Sequence, residues 1–488
     1  MKNMQKRTKT SYLFHNMALF TVSNFVSKIL VFLLVPFYTD VLTESEYGIA
    51  DVMQATLLLA VPLLSMNAGE AALRFALEHT DRYGSILKKG LKSTGSAILA
   101  VIFLCCAGVL MPFDGQIKIY IAMFALLFAC DAIYEFMLLY CQGTEKVQIM
   151  ITGSVSCTIL VIISNLYFLL VLKTGLYGYL FSQMISFAGA ALLMFILSGS
   201  LSELKNSFRQ SGIQAGAGEN TDNAGNKEAS IEKEMTHYGK SMLLYSTSSW
   251  VNNAIDRYYI LFMLGSAQNG LYGVAYKIPA ILQVFQRIFA QSFQMSATKS
   301  YKDKDSVPFF SNLYAVYNAV MVIGCAGILL FLKPIAFFMF NKGFFQAWIL
   351  VPPLLMSVIF GALNGYLGSI CLAYKDGKSM GQATGIGALV NIVLNYAGIM
   401  LIGSLGAAIA TLISYFTMFI IAFFKTRKHV RLEVDMIRDI GAYMLLAAES
   451  VLTACEIRGF YFYDAVIVIL LFIIYRKEFI QVIKKWKK

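Results

Sequence analysis

Runs of about twenty apolar residues fix the class of this chain, because a helix needs that length to cross a bilayer. Fourteen such runs lie near 12–38, 47–71, 93–112, 118–140, 149–171, 175–198, 241–263, 270–296, 310–332, 347–372, 380–402, 404–424, 439–455 and 461–475. Strands of a membrane barrel alternate with a period of two, and these runs do not. The expected fold is therefore all-α and polytopic, with 14 transmembrane helices. Composition closes the alternatives. The chain is 58% hydrophobic and 14% charged, whereas soluble domains carry about 25% charged residues. A soluble enzyme, a secreted disulfide scaffold and a disordered chain are excluded.

The charges then orient the spans. There are 40 Lys and Arg against 28 Asp and Glu. With a cytoplasmic N-terminus, 31 of the 40 fall in the terminal segments and alternate loops on the inner side. The outer loops hold Lys118, Lys173, Lys333, Lys342 and Arg458. This bias is the positive-inside pattern and places both termini in the cytoplasm, on a multi-pass protein of the cytoplasmic membrane. It also accounts for the net charge of +12 without nucleic acid. The stretch 12–38 after MKNMQKRTKT is too long for a signal core and reads as a retained first helix. The eight cysteines and four histidines form no ligand spacing, so no metal is expected. No Walker A or H-E-x-x-H sequence is present, and no cofactor or ATP is implied.

A polar stretch from about 201 to 240 contains SGIQAGAGENTDNAGNKEASIEKE and is expected to be a flexible cytoplasmic linker. It divides an N-terminal six-helix lobe, 1–200, from a C-terminal six-helix lobe, 241–425. Two extra helices and a basic tail occupy 426–488. A gap-free repeat spans the linker: 17–51 matches 242–276, and E-Y-G-I-A around Gly48 returns as L-Y-G-V-A around Gly273. Six spans separate the copies, so they share an orientation. Transporters with parallel repeats bind substrate near mid-membrane between the halves and rock around it.

Four basic residues fall inside spans: Lys28, Arg257, Lys277 and Arg287. An intramembrane charge costs roughly 2.5–3.5 kcal/mol on insertion scales and marks a functional candidate. Helix rise brings Lys28, Asp51, Asp256, Arg257 and Lys277 to a similar level in the outer half. A net-positive cavity there would suit a phosphate or pyrophosphate, with Arg as a fork and Lys as a point charge. The alternative is internal neutralisation, with Asp51 or Asp256 pairing a neighbouring base. Asp131 and Glu135, at i,i+4 spacing, fall near the depth of Arg287. They read either as proton- or sodium-coupling groups or as members of a structural ion pair. Glu70 and Arg74 can snorkel to the inner interface. Glu449 stands alone in its span.

The residues around Arg257 also carry a resemblance. Trp250-Val-Asn-Asn-Ala-Ile-Asp256-Arg257-Tyr258, followed by Gly270-Leu-Tyr272-Gly273-Val-Ala275-Tyr276-Lys277-Ile278-Pro279, resembles the central signature of the polysaccharide flippases. These belong to the multidrug/oligosaccharidyl-lipid/polysaccharide exporter superfamily. Asn24, Lys28, Pro36, Glu46-Tyr47-Gly48, Asp51 and Arg74-Phe75 fit the same pattern in the first spans. The resemblance implies two six-helix lobes around a central cavity. It implies export of an undecaprenyl-pyrophosphate-linked oligosaccharide to the outer leaflet, for surface polysaccharide such as lipopolysaccharide. It also implies that Lys28, Arg257 and Lys277, with Arg287 beside them, bind the lipid diphosphate. The partners are then the lipid-linked glycan, membrane lipid, and a proton or sodium ion.

Fourteen spans are closer to the lipid II flippases, although Lys28 alone is basic in the first span. A drug/cation antiporter of the same superfamily is a further alternative, favoured by a carboxylate-dominated cavity. A membrane polymerase or ligase would need a large outer loop, and here the outer loops are short.

Overall fold

The computed structural model describes residues 32–205, 222–300, 305–374, 376–478 and 480. Lys28 and most of the first expected span lie outside the described residues. The chain opens with α1 (Val35–Val41), α2 (Glu44–Leu64) and the short α3 (Ala68–Glu78). Long helices follow: α4 (Tyr83–Leu110), α5 (Gly115–Gly143), α6 (Val147–Asn165) with a π turn over Leu166–Val171, and α7 (Gly175–Leu197). Then come α8 (Asp222–Leu264), α9 (Ser266–Ala275), α10 (Pro279–Ser300), α11 (Ser306–Leu330) and α12 (Leu332–Met339). A 3₁₀ segment, Lys342–Leu350, leads into α13 (Val351–Ala373), and α14 (Gly377–Ile402), α15 (Ser404–Thr426), α16 (Met436–Ala454) and α17 (Phe460–Ile474) complete the chain.

Among the described residues, nine helices are long and apolar enough to cross a membrane. They are α2, α4 to α7, α11, α13 with its lead-in, α14 and α15. Their outward residues are apolar. Leu99, Phe103 and Leu104 on α4, Leu192 and Ile196 on α7, and Leu389, Val393 and Met400 on α14 are all exposed. Polar residues turn inward instead: Asn165, Ser182, Ser186, Asn391 and Asn395 are buried. The Ser182 and Ser186 hydroxyls donate to carbonyls one turn earlier, at 2.8 and 2.5 Å. An apolar exterior over a partly polar interior is the arrangement that hydrocarbon solvent selects. The chain is a multi-pass membrane protein.

The described residues form two compact units, one within 32–34 and 53–250, the other within 35–52 and 251–480. In the first unit, Ala68, Ala71, Ala72 and Phe75 of α3 pack with Ile86 and Leu87 of α4 and Phe136, Met137 and Tyr140 of α5. Ile231 and Met235 of α8 join this cluster.

That contact gives the described part of 201–240 a packed helical segment. Residues 200–205 and 222–240 are helical, and 206–221 lie outside the described residues. Ala, Glu, Lys and Met favour a helix, and the spacing of Ile231 and Met235 puts both on one face, where burial fixes them. Residues 35–52 belong to the second unit, tied there by contacts described below. The described residues from 426 onward share that unit as well.

The expected span 270–296 is not one helix. It breaks over Tyr276, Lys277 and Ile278, and α10 restarts at Pro279. Proline lacks an N–H and disfavours helical geometry in the residue before it, so it starts helices well and continues them badly. The span expected at 47–71 likewise ends at Leu64. Met66 and Asn67 take positive φ values of 55° and 52° before α3 begins. Asn67 fixes this corner, donating to the Gly239 carbonyl at 3.2 Å and accepting from Ser246 at 3.1 Å.

Candidate functional site

The site lies within the second unit, where the N-terminal part of α2 meets α9. Glycines set the approach. A Cβ on Gly48 would lie 1.9 Å from the Ser266 carbonyl, and one on Gly270 would lie 1.9 Å from the Glu44 carbonyl. The two backbones therefore touch where only hydrogen fits, the small-residue packing of membrane helices. Asn269 donates to the Gly48 carbonyl at 2.9 Å, and the Ser45 and Ser266 hydroxyls are 2.6 Å apart. Gly273, the repeat partner of Gly48, leaves room for a side chain: a Cβ there would come within 2.8 Å of the Asp51 carboxyl carbon.

Asp51 uses that room to reach α8. Its Oδ2 accepts from Arg257 Nε at 2.7 Å. Arg257 Nη1 donates to the Asn253 carbonyl one turn back, also at 2.7 Å. The guanidinium carbon lies 4.9 Å from the Tyr276 ring centroid, a cation–π distance. The Arg257 side chain is 15% exposed and that of Asp51 10% exposed. This is a largely desolvated pair, so each charge depends on the other.

Asp256 lies beside it and is 2% exposed. Its Oδ1 is 3.8 Å from Arg257 Nη1 and accepts from the Arg257 backbone N–H at 3.1 Å. Its Oδ2 accepts from Tyr272 at 2.5 Å, Tyr276 at 3.1 Å and Thr411 at 3.4 Å. The two rings meet edge to face, 5.2 Å apart at 70°. Tyr415 donates to the Asn253 side chain at 2.9 Å. Asp256 is thus held by hydroxyls from α9, the break and α15, with its charge shared along a polar network.

Lys277 occupies the helix break and is half-buried. Its Nζ is 6.0 Å from the centroid of Tyr47, a buried ring that packs edge to face on Phe344 at 5.8 Å. Lys277 forms no ion pair among the described residues. A discontinuous helix is the form in which transporters present backbone and charge at membrane depth.

The expected residues therefore divide into groups. The structure brings Asp51, Asp256 and Arg257 together, with Lys277 nearby. Among the described residues, two carboxylates stand here against two bases. Arg287 is exposed on α10 and has no ion pair among the described residues. Lys28 lies outside the described residues.

Asp131 and Glu135 belong to the first unit, both half-buried on α5. Each is close enough to another carboxylate to feel its charge, Asp131 to Glu135 and Glu135 to Glu70. No base pairs with them among the described residues. Arg74 is exposed, paired with Glu78 at 3.3 Å and set over the Tyr238 ring at 4.8 Å.

Sequence reasoning missed the phenols. Tyr272 and Tyr276 stand one helical turn apart in the same word as Gly273, a spacing that already puts both hydroxyls on one face. Thr411 and Tyr415, on a distant span, gave no sequence signal.

The family described as "Polysaccharide biosynthesis protein" matches residues 13–293. A "probable low-salt glycan biosynthesis flippase", Agl15 of Haloferax volcanii, is 25% identical over 188 residues. That match covers 38% of this chain and only 39% of the relative. Several solved structures share the fold. The lipid II flippase MurJ in an inward closed conformation has a TM-score of 0.65 at 15% identity, covering 96% of this chain and 99% of MurJ. An inward-facing multidrug resistance MATE family transporter has a TM-score of 0.65 at 12% identity, covering 86% of this chain and 96% of that one.

Proposed function

Because the chain belongs to the polysaccharide biosynthesis protein family, a family of transporters and not of enzymes, we propose that it flips a lipid-linked glycan across the cytoplasmic membrane. The cargo on this reading is an undecaprenyl-pyrophosphate oligosaccharide, moved from the inner to the outer leaflet for cell-surface polysaccharide. The carrying observation is the half-buried Arg257, which one carboxylate holds in place 2.7 Å away, near the half-buried Lys277 at a helix break.

An arginine in this state is poised for exchange. A diphosphate offers several anionic oxygens in place of the single Asp51 oxygen, and the guanidinium fork suits them. Lys277 adds a mobile ammonium. Arrival of the diphosphate releases Asp51, and its departure restores the pair. The anchor between α2 and α8 therefore exists only when substrate is absent, which links cargo to conformation in the sense of alternating access.

Fourteen helices, with Lys28 facing the same cargo, complete the reading. Asp131 and Glu135, with Glu70, supply carboxylates for coupling to a proton or sodium gradient, and both termini are cytoplasmic. Support comes from the family match, the glycan flippase relative and the shared fold.

Deletion tests the cargo. Loss of the protein should leave a lipid-linked oligosaccharide on the inner leaflet. Accumulation of lipid II instead would assign the cargo to peptidoglycan. Sensitivity to lipophilic cations without a glycan defect would replace the flippase reading with an antiporter.

A further inference from the structure

Glu449, alone in its span by sequence, has company in the fold. Asp464 of α17 lies close enough for the two carboxylates to act on one another. Both are 0% exposed, as is Thr453, one turn beyond Glu449 on α16. Among the described residues, neither side-chain oxygen of Glu449 has a hydrogen-bond partner, and Asp464 Oδ1 has none.

The surroundings supply no neutralising charge among the described residues. α16 packs against α17, α11 and α13. From α11, the buried Cys325 lies near Glu449 and carries no positive charge. From α13, Met356 Sδ accepts from Ser450 at 3.3 Å. Arg438, three turns away on α16, is committed to Asp439 and Glu478. Lys333 pairs with Glu456 in the turn, at 2.8 Å. An ionised carboxylate buried without a partner is among the costliest groups a protein can hold.

The Thr453 hydroxyl adds an independent count. Its oxygen lies 2.9 Å from the Glu449 backbone carbonyl and 2.9 Å from Asp464 Oδ2. A hydroxyl carries one hydrogen but also two lone pairs. Both contacts are satisfied together when Thr453 donates to the carbonyl and accepts from a protonated Asp464.

We propose that Glu449 and Asp464 form a buried proton site in the α16–α17 hairpin, each carboxylate holding one proton in this conformation. Uptake converts each carboxylate to a neutral acid by forming one O–H bond, with the proton drawn from water, and release reverses it. Exchange requires water to reach the pair, so occupancy tracks the opening of this hairpin. The site is separate from Arg257 and needs no glycan.

Infrared difference spectra of the full-length protein in detergent, wild type against Glu449→Gln and Asp464→Asn, test this. At neutral pH each amide variant should lose the absorption of one protonated carboxyl and keep its melting midpoint, because a neutral amide replaces a neutral acid. Wild-type and variant spectra that coincide in that region would overturn the proposal. So would failure of both amide variants to fold, or a sodium-dependent rise in the wild-type midpoint that both variants lose. The last result would identify a sodium site instead.

Discussion

Arg257 on α8 and Asp51 on α2 form one ion pair, Nε to Oδ2 at 2.7 Å, although 206 residues separate them in the chain. Such a pair is weak evidence for stability, because desolvation offsets much of the attraction, but removing one member strands the other. Asp51→Asn should therefore cost about 3–5 kcal/mol, read as a lower melting midpoint. The double variant Asp51→Asn/Arg257→Gln should recover part of that loss. Simple addition of the single effects would show that the pair is not coupled.

Transport should separate the two residues from each other. Arg257→Ala removes a charge-assisted contact to the cargo, worth about 1.5–3 kcal/mol, and should lower export about tenfold to a hundredfold. Arg257→Lys keeps the charge and loses the fork, so it should fall between the two. Lys277→Ala should impair export at an unchanged melting midpoint, and Lys277→Arg should restore most of it. Wild-type export by all four variants would remove both residues from the site.

The glycines give a steric test. Gly48→Ala places a methyl group 1.9 Å from the Ser266 carbonyl, so the helices must separate. Overpacking of this kind costs about 1–3 kcal/mol. Gly273→Ala instead presses on the Asp51 carboxyl at 2.8 Å, and should reduce export more than stability. The Gly95→Ala control, where a Cβ meets nothing within 4 Å, should leave both unchanged.

The helical part of 222–240 is testable by proteolysis. Ile231 and Met235 are 6% and 3% exposed, and truncating such a residue to Ala costs about 2–5 kcal/mol. The double Ala variant should be cleaved faster between 222 and 240 than the wild type. Equal cleavage rates would mean that burial of these two side chains does not hold the segment.

Acid stability should depend on the junction before α14. Asp376 accepts from Ser379 N at 3.0 Å and Ser379 Oγ at 2.7 Å, and His429 Nε2 is 2.8 Å away. The His429 contact, then the Ser379 bonds, hold the Asp376 carboxyl well below its ordinary value of 3.8. A depressed value means that the unfolded state takes up the proton first. The contribution is therefore complete above pH 3.8 and is lost as pH falls below it. Asp376→Asn should lower the melting midpoint at neutral pH and flatten its decline in acid. Parallel curves for the two proteins would contradict the assignment.

Much of the architecture was legible because hydrocarbon demands length and apolarity, both of which a sequence displays. Each of the nine described spans falls on an expected run. The break before Pro279 was written in the sequence too, but the apolar residues continue across it and hid it. The helix over 222–240 was concealed by its polar composition, since only Ile231 and Met235 mark its buried face. Position alone brought Arg257, Lys277 and Asp51 to one level. It could not reveal that Asp51 occupies the guanidinium, nor that Thr411 and Tyr415 complete the network, because those contacts join residues far apart in the chain.

The most direct test is flipping itself. Full-length protein in proteoliposomes would be supplied with undecaprenyl-pyrophosphate oligosaccharide on one leaflet, and its appearance on the other followed by a glycan-cleaving enzyme that cannot cross the membrane. Transfer by the wild type, with loss in Arg257→Ala and partial return in Arg257→Lys, is the predicted result. Transfer at the protein-free rate by the wild type, or at the wild-type rate by Arg257→Ala, would contradict it.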